Sequence, residues 1–140
     1  MILFTELSSD FQIIDYACTH SQLLLRSNKS RDRKYNIDIL FKPVYAMLIP
    51  AFFKGIEISI DDFPEMQTVL VNEYAFEVDN FTKIFRLKDA EGRSFYINAM
   101  AFSVFHNKQI TPIESGLKDG QGGYLELFGD FVMGYPPECK

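Results

Sequence analysis

The stretch Tyr35-Asn36-Ile37-Asp38-Ile39-Leu40-Phe41 decides the fold class, because its side chains alternate between apolar and polar. The two isoleucines and Phe41 face one way, and Asn36 and Asp38 face the other. A period of two is that of a half-buried β-strand. Segment 22–27 carries three consecutive leucines and predicts a second strand. The polar loop 28–34 between the two segments therefore predicts a long hairpin with a basic tip.

Other segments predict strands by the same criteria. Segment 56–60 alternates as regularly as the first stretch. Segments 83–88 and 94–99 flank a short turn in which Gly92 supplies a left-handed position. The remaining predicted strands are 11–18, 44–49, 101–106 and 124–132. We therefore predict about seven to nine strands, joined mostly by short connections that favour antiparallel pairing.

Prolines and one glycine interrupt this pattern. Pro43 and Pro50 bracket segment 44–49. Proline cannot donate to a ladder, so the two residues predict a bulge, strand ends or a sheet edge. Gly55 precedes segment 56–60 and is interpreted as a turn residue.

Residues 61–74 are ambiguous between helix and strand. Asp62 lies three residues before Glu65, which resembles a capping box, and Pro64 suits a first helical turn. Apolar side chains from Phe63 to Tyr74 recur near helical spacing. The run 68–71 is rich in β-branched residues and would also suit a strand. We predict one short helix here.

Length and aromatic content agree with a β-sheet. The chain has 140 residues, the size of one domain, which we assign to residues 1–140. It contains 14 Phe and 7 Tyr, residues that favour half-buried pleated surfaces. We predict a mainly β (β-rich α+β) fold, in which an antiparallel sheet forms a sandwich or a strongly curved sheet, with at most one or two short helices.

The sequence contains no motif for catalysis, cofactor binding or metal binding. Cys18 and His20 lie two residues apart, but a buried cysteine beside an edge histidine explains this pair best. The glycine-rich run 116–124 lacks the phosphate-binding patterns. Strand acids are expected on the solvent face, and these are Asp15, Asp38 and Glu57. We therefore predict no catalytic, cofactor-binding or metal-binding residues and favour a protein that is not an enzyme.

Charge is distributed unevenly along a chain of net charge −5. Residues 26–34 hold five of the 14 basic residues, and residues 55–82 hold seven acids and no Lys or Arg. The overall acidity disfavours nucleic acid as a partner. The acids are interspersed with Phe63, Met66, Tyr74, Phe76 and Phe81. Such a mixture is typical of an interface for a basic protein, and it also arises when the aromatic residues are core and the acids are solvated. The residues predicted to bind the partner are Glu57, Asp61, Asp62, Glu65, Glu73 and Asp79.

One segment resembles a known group of proteins. It contains Leu23-Leu24-Leu25-Arg26-Ser27, a charged loop, Asn36-Ile37-Asp38-Ile39-Leu40-Phe41-Lys42-Pro43-Val44 and Phe53-Lys54-Gly55-Ile56-Glu57-Ile58. This order of strands and loop is similar to proteins grouped with the immunity partners of polymorphic bacterial toxins. The resemblance covers about a third of the chain and carries no functional residues over. It implies a small bacterial protein that inhibits a toxin by binding it.

The leading hypothesis is a cytoplasmic, non-catalytic module that binds another protein, in its most concrete form an immunity-type inhibitor of a basic toxin. The alternative is a small-ligand-binding protein or an enzyme that uses a concave pocket of the sheet. A third hypothesis is a structural domain that forms a homo-oligomer through a sheet edge. We read no signal peptide at the first residues, and no stretch approaches the ~20 apolar residues of a membrane helix. We therefore expect no membrane partner.

Overall fold

Seven strands and one helix make up the computed structural model, which describes residues 1–18, 21–107 and 129–139. The strands are β1 (Ile2–Ala17), β2 (Gln22–Ser27), β3 (Asn36–Leu48), β4 (Phe52–Ser59), β5 (Lys83–Lys88), β6 (Ser94–Asn107) and β7 (Gly129–Tyr135). The helix α1 spans Pro64–Tyr74 and lies between β4 and β5. The predicted helix is thus confirmed in this stretch.

All strand pairings within the described residues are antiparallel and belong to one sheet. The order is β3-β2-β1-β4-β5-β6-β7, and β3 also pairs with β6. This extra pairing closes strands β1 to β6 into a ring. Strand β7 lies beside the second half of β6, where β5 has ended. The predicted mainly β, antiparallel and strongly curved sheet is confirmed, and a single sheet replaces the sandwich that was its alternative.

Two pairs of predicted strands are each one continuous strand. Segments 35–41 and 44–49 belong to β3, and segments 94–99 and 101–106 belong to β6. The inward alternation on β3 passes from Phe41 to Val44, so Pro43 lies where the strand changes face. On β6 the same change falls between Ala99 and Phe102, directly opposite. Both strands therefore change face at one level of the closed sheet.

Other boundaries also differ from the prediction. Strand β1 begins at Ile2 rather than at residue 11, because its first half forms a ladder with β4. The predicted last strand 124–132 is confirmed from Gly129, and residues 124–128 lie outside the described part. The glycine-rich run 116–124 also lies outside it.

Gly55 lies inside β4 and not in a turn, so that interpretation was wrong. Its φ is +81°, a conformation that side chains rarely adopt. An added Cβ would lie 2.8 Å from the carbonyl oxygen of Leu7 on β1 and 3.0 Å from the backbone nitrogen of Ala90. Glycine is therefore required here by the close approach of two backbones. Gly92, by contrast, is at the predicted turn with φ +85°.

The core lies inside the closed sheet. The rings of Phe41, Phe85 and Phe102 pack against one another with centroid distances of 5.4 to 5.7 Å. Leucine, isoleucine and valine side chains from β2 to β6 surround these rings. Aromatic pairs at this spacing add to the stabilisation that burial provides. This filling of the interior disfavours a ligand pocket within it.

Candidate protein-binding surface

The helix α1 rests on the outer face of the sheet and is held by few buried side chains. Leu70 is its one buried residue. Leu70 packs with Phe63 and Phe76, which flank the helix, and with Ile84 on β5. The other residues of α1 are exposed or half-buried, although a surface helix usually buries a broad apolar stripe.

The helix does not begin with the predicted capping box. Its N-cap residue is Phe63, and no side chain caps it. The Asp62 carboxylate instead accepts a hydrogen bond of 3.0 Å from Arg86 Nη2 on β5. Arg86 also lies over the Phe63 ring, with 5.2 Å between its Cζ and the ring centroid. Asp62 is thus used to attach the start of the helix to the sheet.

The aromatic and methionine side chains of the acidic segment divide into two groups. Phe63 and Phe76 are buried, as the core interpretation predicts. Met66, Tyr74 and Phe81 are exposed, as the interface interpretation predicts. Phe81 exposes 71% of its surface although a core lies beside it. We call Met66, Tyr74, Phe81 and the exposed acids of residues 61–79 the acidic surface.

Phe81 is held in place by a rigid turn. Asp79 Oδ1 accepts hydrogen bonds of 2.8 Å from the backbone nitrogens of both Phe81 and Thr82. These bonds hold the pKa of Asp79 below its ordinary value, the bond from Phe81 first. The buried side chain of Asn98 fixes the same loop by donating to the carbonyl oxygens of Glu77 and Lys83, at 2.7 and 2.9 Å. The backbone that carries the exposed ring is therefore preorganised.

A cleft of about 370 Å³ lies beside Phe81. Met100, Ala101, Tyr135 and Pro136 contribute to its lining. It forms where β5 ends opposite Ala99 and β7 ends opposite Phe102, so that neither strand covers this part of β6. An exposed ring next to such a cleft can contact an apolar side chain of another protein.

The six predicted partner-binding residues are not all equivalent. Glu65 and Glu73 are exposed on α1, and Asp61 is exposed just before it. Asp62 and Asp79 are exposed but serve the ion pair and the turn described above. Glu57 lies apart from the helix on β4, half-buried and opposite Lys88. The structure therefore assembles the acids of residues 61–79 around α1 and its following loop and leaves Glu57 outside this surface.

A buried polar cluster was missed by the sequence analysis. Asp38 was expected on a solvated face, but it is fully buried and forms two hydrogen bonds with Arg26, of 2.6 and 2.9 Å. Asn107 Nδ2 donates to the same carboxylate at 2.7 Å. Arg26 and Asp38 are direct partners in the β2–β3 register, so the hairpin itself places them side by side. The one available signal was opposite charge at paired positions of a predicted hairpin.

The hairpin tip is less basic than predicted. Arg26 is buried, and Arg33 turns back to the protein, where Nε donates to the Tyr35 carbonyl oxygen at 2.9 Å. Lys29, Arg31 and Lys34 are the exposed cations of the loop.

The residues considered for other chemistry carry no assembled site. Cys18 is an exposed free thiol, so its interpretation as a buried cysteine was wrong, and His20 lies outside the described part of the chain. Asp15 is half-buried on β1. Across residues 1–18, 21–107 and 129–139, no group of three or more His, Cys, Asp or Glu side chains could hold a metal ion. In the same residues, no helix is long and apolar enough to span a membrane.

Comparison with known proteins gives no relative. No protein-family model, no curated protein and no solved structure matches the chain.

Proposed function

We propose that this protein is a non-catalytic module that binds a basic protein through its acidic surface. Its most concrete form is an immunity-type inhibitor whose negative charge and exposed side chains cover the basic face of a toxin. One observation carries the proposal: α1 is anchored through one buried residue, while Met66, Tyr74 and Phe81 stand exposed among acids.

Charge complementarity argues for a basic partner. Residues 55–82 contain seven acids and no Lys or Arg, and the cations of the described residues that lie against these acids come from other segments, among them Lys83, Arg86 and Lys88 on β5 and the amino group of Met1. A field of one sign accelerates association with a partner of opposite sign, and this acceleration weakens as salt increases. Exposed aromatic side chains supply the short-range contacts that slow dissociation.

The first experiment is a pull-down of the tagged protein from its native host, with washes at low and at high salt. We expect a stoichiometric basic protein that elutes with salt. Recovery of no protein in either wash would contradict the proposal.

The second experiment locates the surface with matched variants. Glu65→Lys/Glu73→Lys and Asp32→Lys/Glu91→Lys each replace two exposed acids, so both raise the net charge equally. We expect Glu65→Lys/Glu73→Lys to weaken binding of the partner at least tenfold and to reduce the salt dependence of binding. Asp32→Lys/Glu91→Lys is expected to change the affinity little. Equal effects of the two pairs would show that net charge alone matters and would contradict a located interface.

A third comparison tests the apolar contact. Phe81 and Phe52 expose 71% and 73% of their surfaces, so Phe81→Ala and Phe52→Ala remove equally exposed rings. We expect only Phe81→Ala to increase the dissociation rate of the partner.

A further inference from the structure

Phe52 stands on a different part of the molecule and has the largest exposed fraction of any bulky apolar side chain in the described residues. Its neighbour Phe53 points into the core, so the alternation of β4 places Phe52 outside. Clefts of about 390 and 350 Å³ adjoin it, and both are lined by Asp10, Phe11 and Phe52. Each has the volume of a small-molecule site. Because they share these lining residues, we treat them as one groove, which we call the Phe52 groove.

One wall of the groove is fixed by Arg33. Arg33 Nη1 donates to Ser9 Oγ at 2.7 Å, and Nη2 donates to the Ser27 carbonyl oxygen at 2.9 Å. The guanidinium thereby links β1 to the β2–β3 hairpin. The link lies where the β1–β4 register shifts, between Glu6 and Asp10. This wall is ordered before any ligand arrives, which lowers the entropic cost of binding.

Three polar side chains along the larger cleft are available to a ligand. They are the carboxylate of Asp10 and the carboxamides of Gln12 and Asn28. None of the three forms a hydrogen bond through its side chain to another described residue. A carboxylate accepts several hydrogen bonds, and each carboxamide both donates and accepts, so the set matches groups that do both.

The charges of the groove favour a neutral ligand. The larger cleft is lined by one acid and one base, Asp10 and Arg33, and Arg33 directs donors at protein oxygens. A divalent cation would find one free carboxylate beside a guanidinium, far short of the oxygen ligands it needs. In the smaller cleft, Lys54 offsets Asp10, its partner in the β1–β4 register.

We infer that the Phe52 groove binds a neutral oligosaccharide. Saccharide hydroxyls donate and accept hydrogen bonds, so they match the carboxylate of Asp10 and the carboxamides of Gln12 and Asn28. The C–H face of a sugar ring is apolar and packs on an exposed aromatic ring such as Phe52. Two adjoining clefts fit a chain of sugar units better than a single one. This site is separate from the acidic surface, so either proposal can fail without the other.

A glycan array of neutral and anionic oligosaccharides, probed with the labelled protein, tests the inference. We expect retention on neutral glycans. The best neutral glycan is then titrated into ¹⁵N-labelled protein, where saturable shifts are expected at the amides of Asp10, Gln12, Asn28 and Phe52. Inorganic phosphate serves as the anion comparison. Retention on no neutral glycan, or phosphate producing the same shifts, would overturn the inference.

Variants confirm the position of the site. Phe52→Ala is expected to weaken glycan binding at least tenfold, and Asp10→Asn is expected to weaken it as well. Both side chains are exposed, so the spectrum of the core is expected to persist. Phe81→Ala is the matched control and is expected to bind as the parent does. Glycan binding that survives Phe52→Ala would also overturn the inference.

Discussion

At the scale of single residues, the Arg26–Asp38 pair concerns stability rather than binding. Both side chains are fully buried, and Asn107 shares the carboxylate. Removal of one charge leaves the other buried without its partner, so we expect Asp38→Leu to lower the free energy of unfolding by about 3–5 kcal/mol. Replacement of both charges in Arg26→Met/Asp38→Leu is expected to cost less than the sum of the single changes. Urea unfolding of the four proteins in this cycle measures the coupling, and strictly additive costs would refute it.

Two glycines with nearly equal φ separate steric crowding from backbone conformation. Gly92→Ala places a side chain in open space, so we expect only the cost of a left-handed alanine, about 1–2 kcal/mol. Gly55→Ala adds the contacts with Leu7 and Ala90, so we expect a further loss of about 1–3 kcal/mol. Thermal or urea unfolding of both variants checks the order. A Gly55 variant as stable as the Gly92 variant would mean that the two backbones separate easily.

Asp89 makes the β5–β6 turn sensitive to pH. Burial raises the pKa of its carboxyl, but hydrogen bonds from the Arg93 side chain and from the Arg93 and Glu91 backbone nitrogens outweigh this and hold the pKa below 3.8. The stabilisation is therefore present above the unfolded value of about 4 and is lost as the pH falls through the folded pKa.

We accordingly expect Asp89→Asn to be less stable than the parent at pH 7, with a difference that shrinks as the pH falls below about 4. Unfolding curves measured from pH 7 to pH 2.5 give this comparison. Glu91→Gln, at an exposed position of the same turn, is the control and is expected to follow the parent. A difference that is independent of pH would show that shape rather than charge matters at residue 89.

At the scale of elements, α1 is the part of the described chain with the weakest attachment. Leu70→Ala removes its one buried side chain, and buried leucines contribute about 2–5 kcal/mol. We expect hydrogen exchange in α1 to accelerate far more than exchange in β2 or β3, because the helix can detach while the sheet stays closed. Val69→Ala, at an exposed position of the same helix, is the control. Uniform acceleration in every strand would show instead that the helix and sheet unfold together.

The sequence predicts these elements well where a local pattern and the tertiary fold agree. The leucine run identifies β2 and the flanking turn identifies β5 to the residue, and helical spacing identifies α1 despite its β-branched run. The first half of β1 is missed because Glu6, Ser8, Ser9 and Asp10 interrupt its apolar pattern. It is a strand through its long-range pairing with β4, which no local window contains.

The candidate surface is predictable to a similar degree. The acids of residues 61–79 are visible in the sequence as a run without bases. The sequence does not show which aromatic residues are exposed beside these acids. Phe76 and Phe81 occur in similar sequence contexts, and only packing buries Phe76. The prediction of a solvated Asp38 was wrong for a related reason. Alternation tells which side of a strand a residue occupies, but not whether that side is covered.

At the scale of the whole molecule, the strand pairings that close the ring differ in length. The β3–β6 register runs from Asn36 to Leu48, whereas the β4–β5 register covers only Glu57–Ser59 and Arg86–Lys88. We call this short pairing the seam. Ser59 Oγ and Arg86 Nε lie at the seam, buried and without hydrogen-bond partners among the described residues. An unsatisfied buried polar atom destabilises its surroundings, so we expect the ring to open here first.

Ser59→Ala tests the seam directly. It removes an unsatisfied hydroxyl from a fully buried position, so we expect the free energy of unfolding to stay equal or to rise by up to about 1 kcal/mol. Hydrogen exchange at residues 57–59 and 86–88 is expected to slow as the free energy of unfolding rises. Ser103→Ala is the matched control, because Ser103 is equally buried but its hydroxyl lies 3.5 Å from Cys139 Sγ. That variant is expected to be destabilised, since it removes a hydroxyl that has a partner. If Ser59→Ala instead lowered stability and accelerated exchange at the seam, its hydroxyl would be stabilising the closure, and the ring would have to open elsewhere.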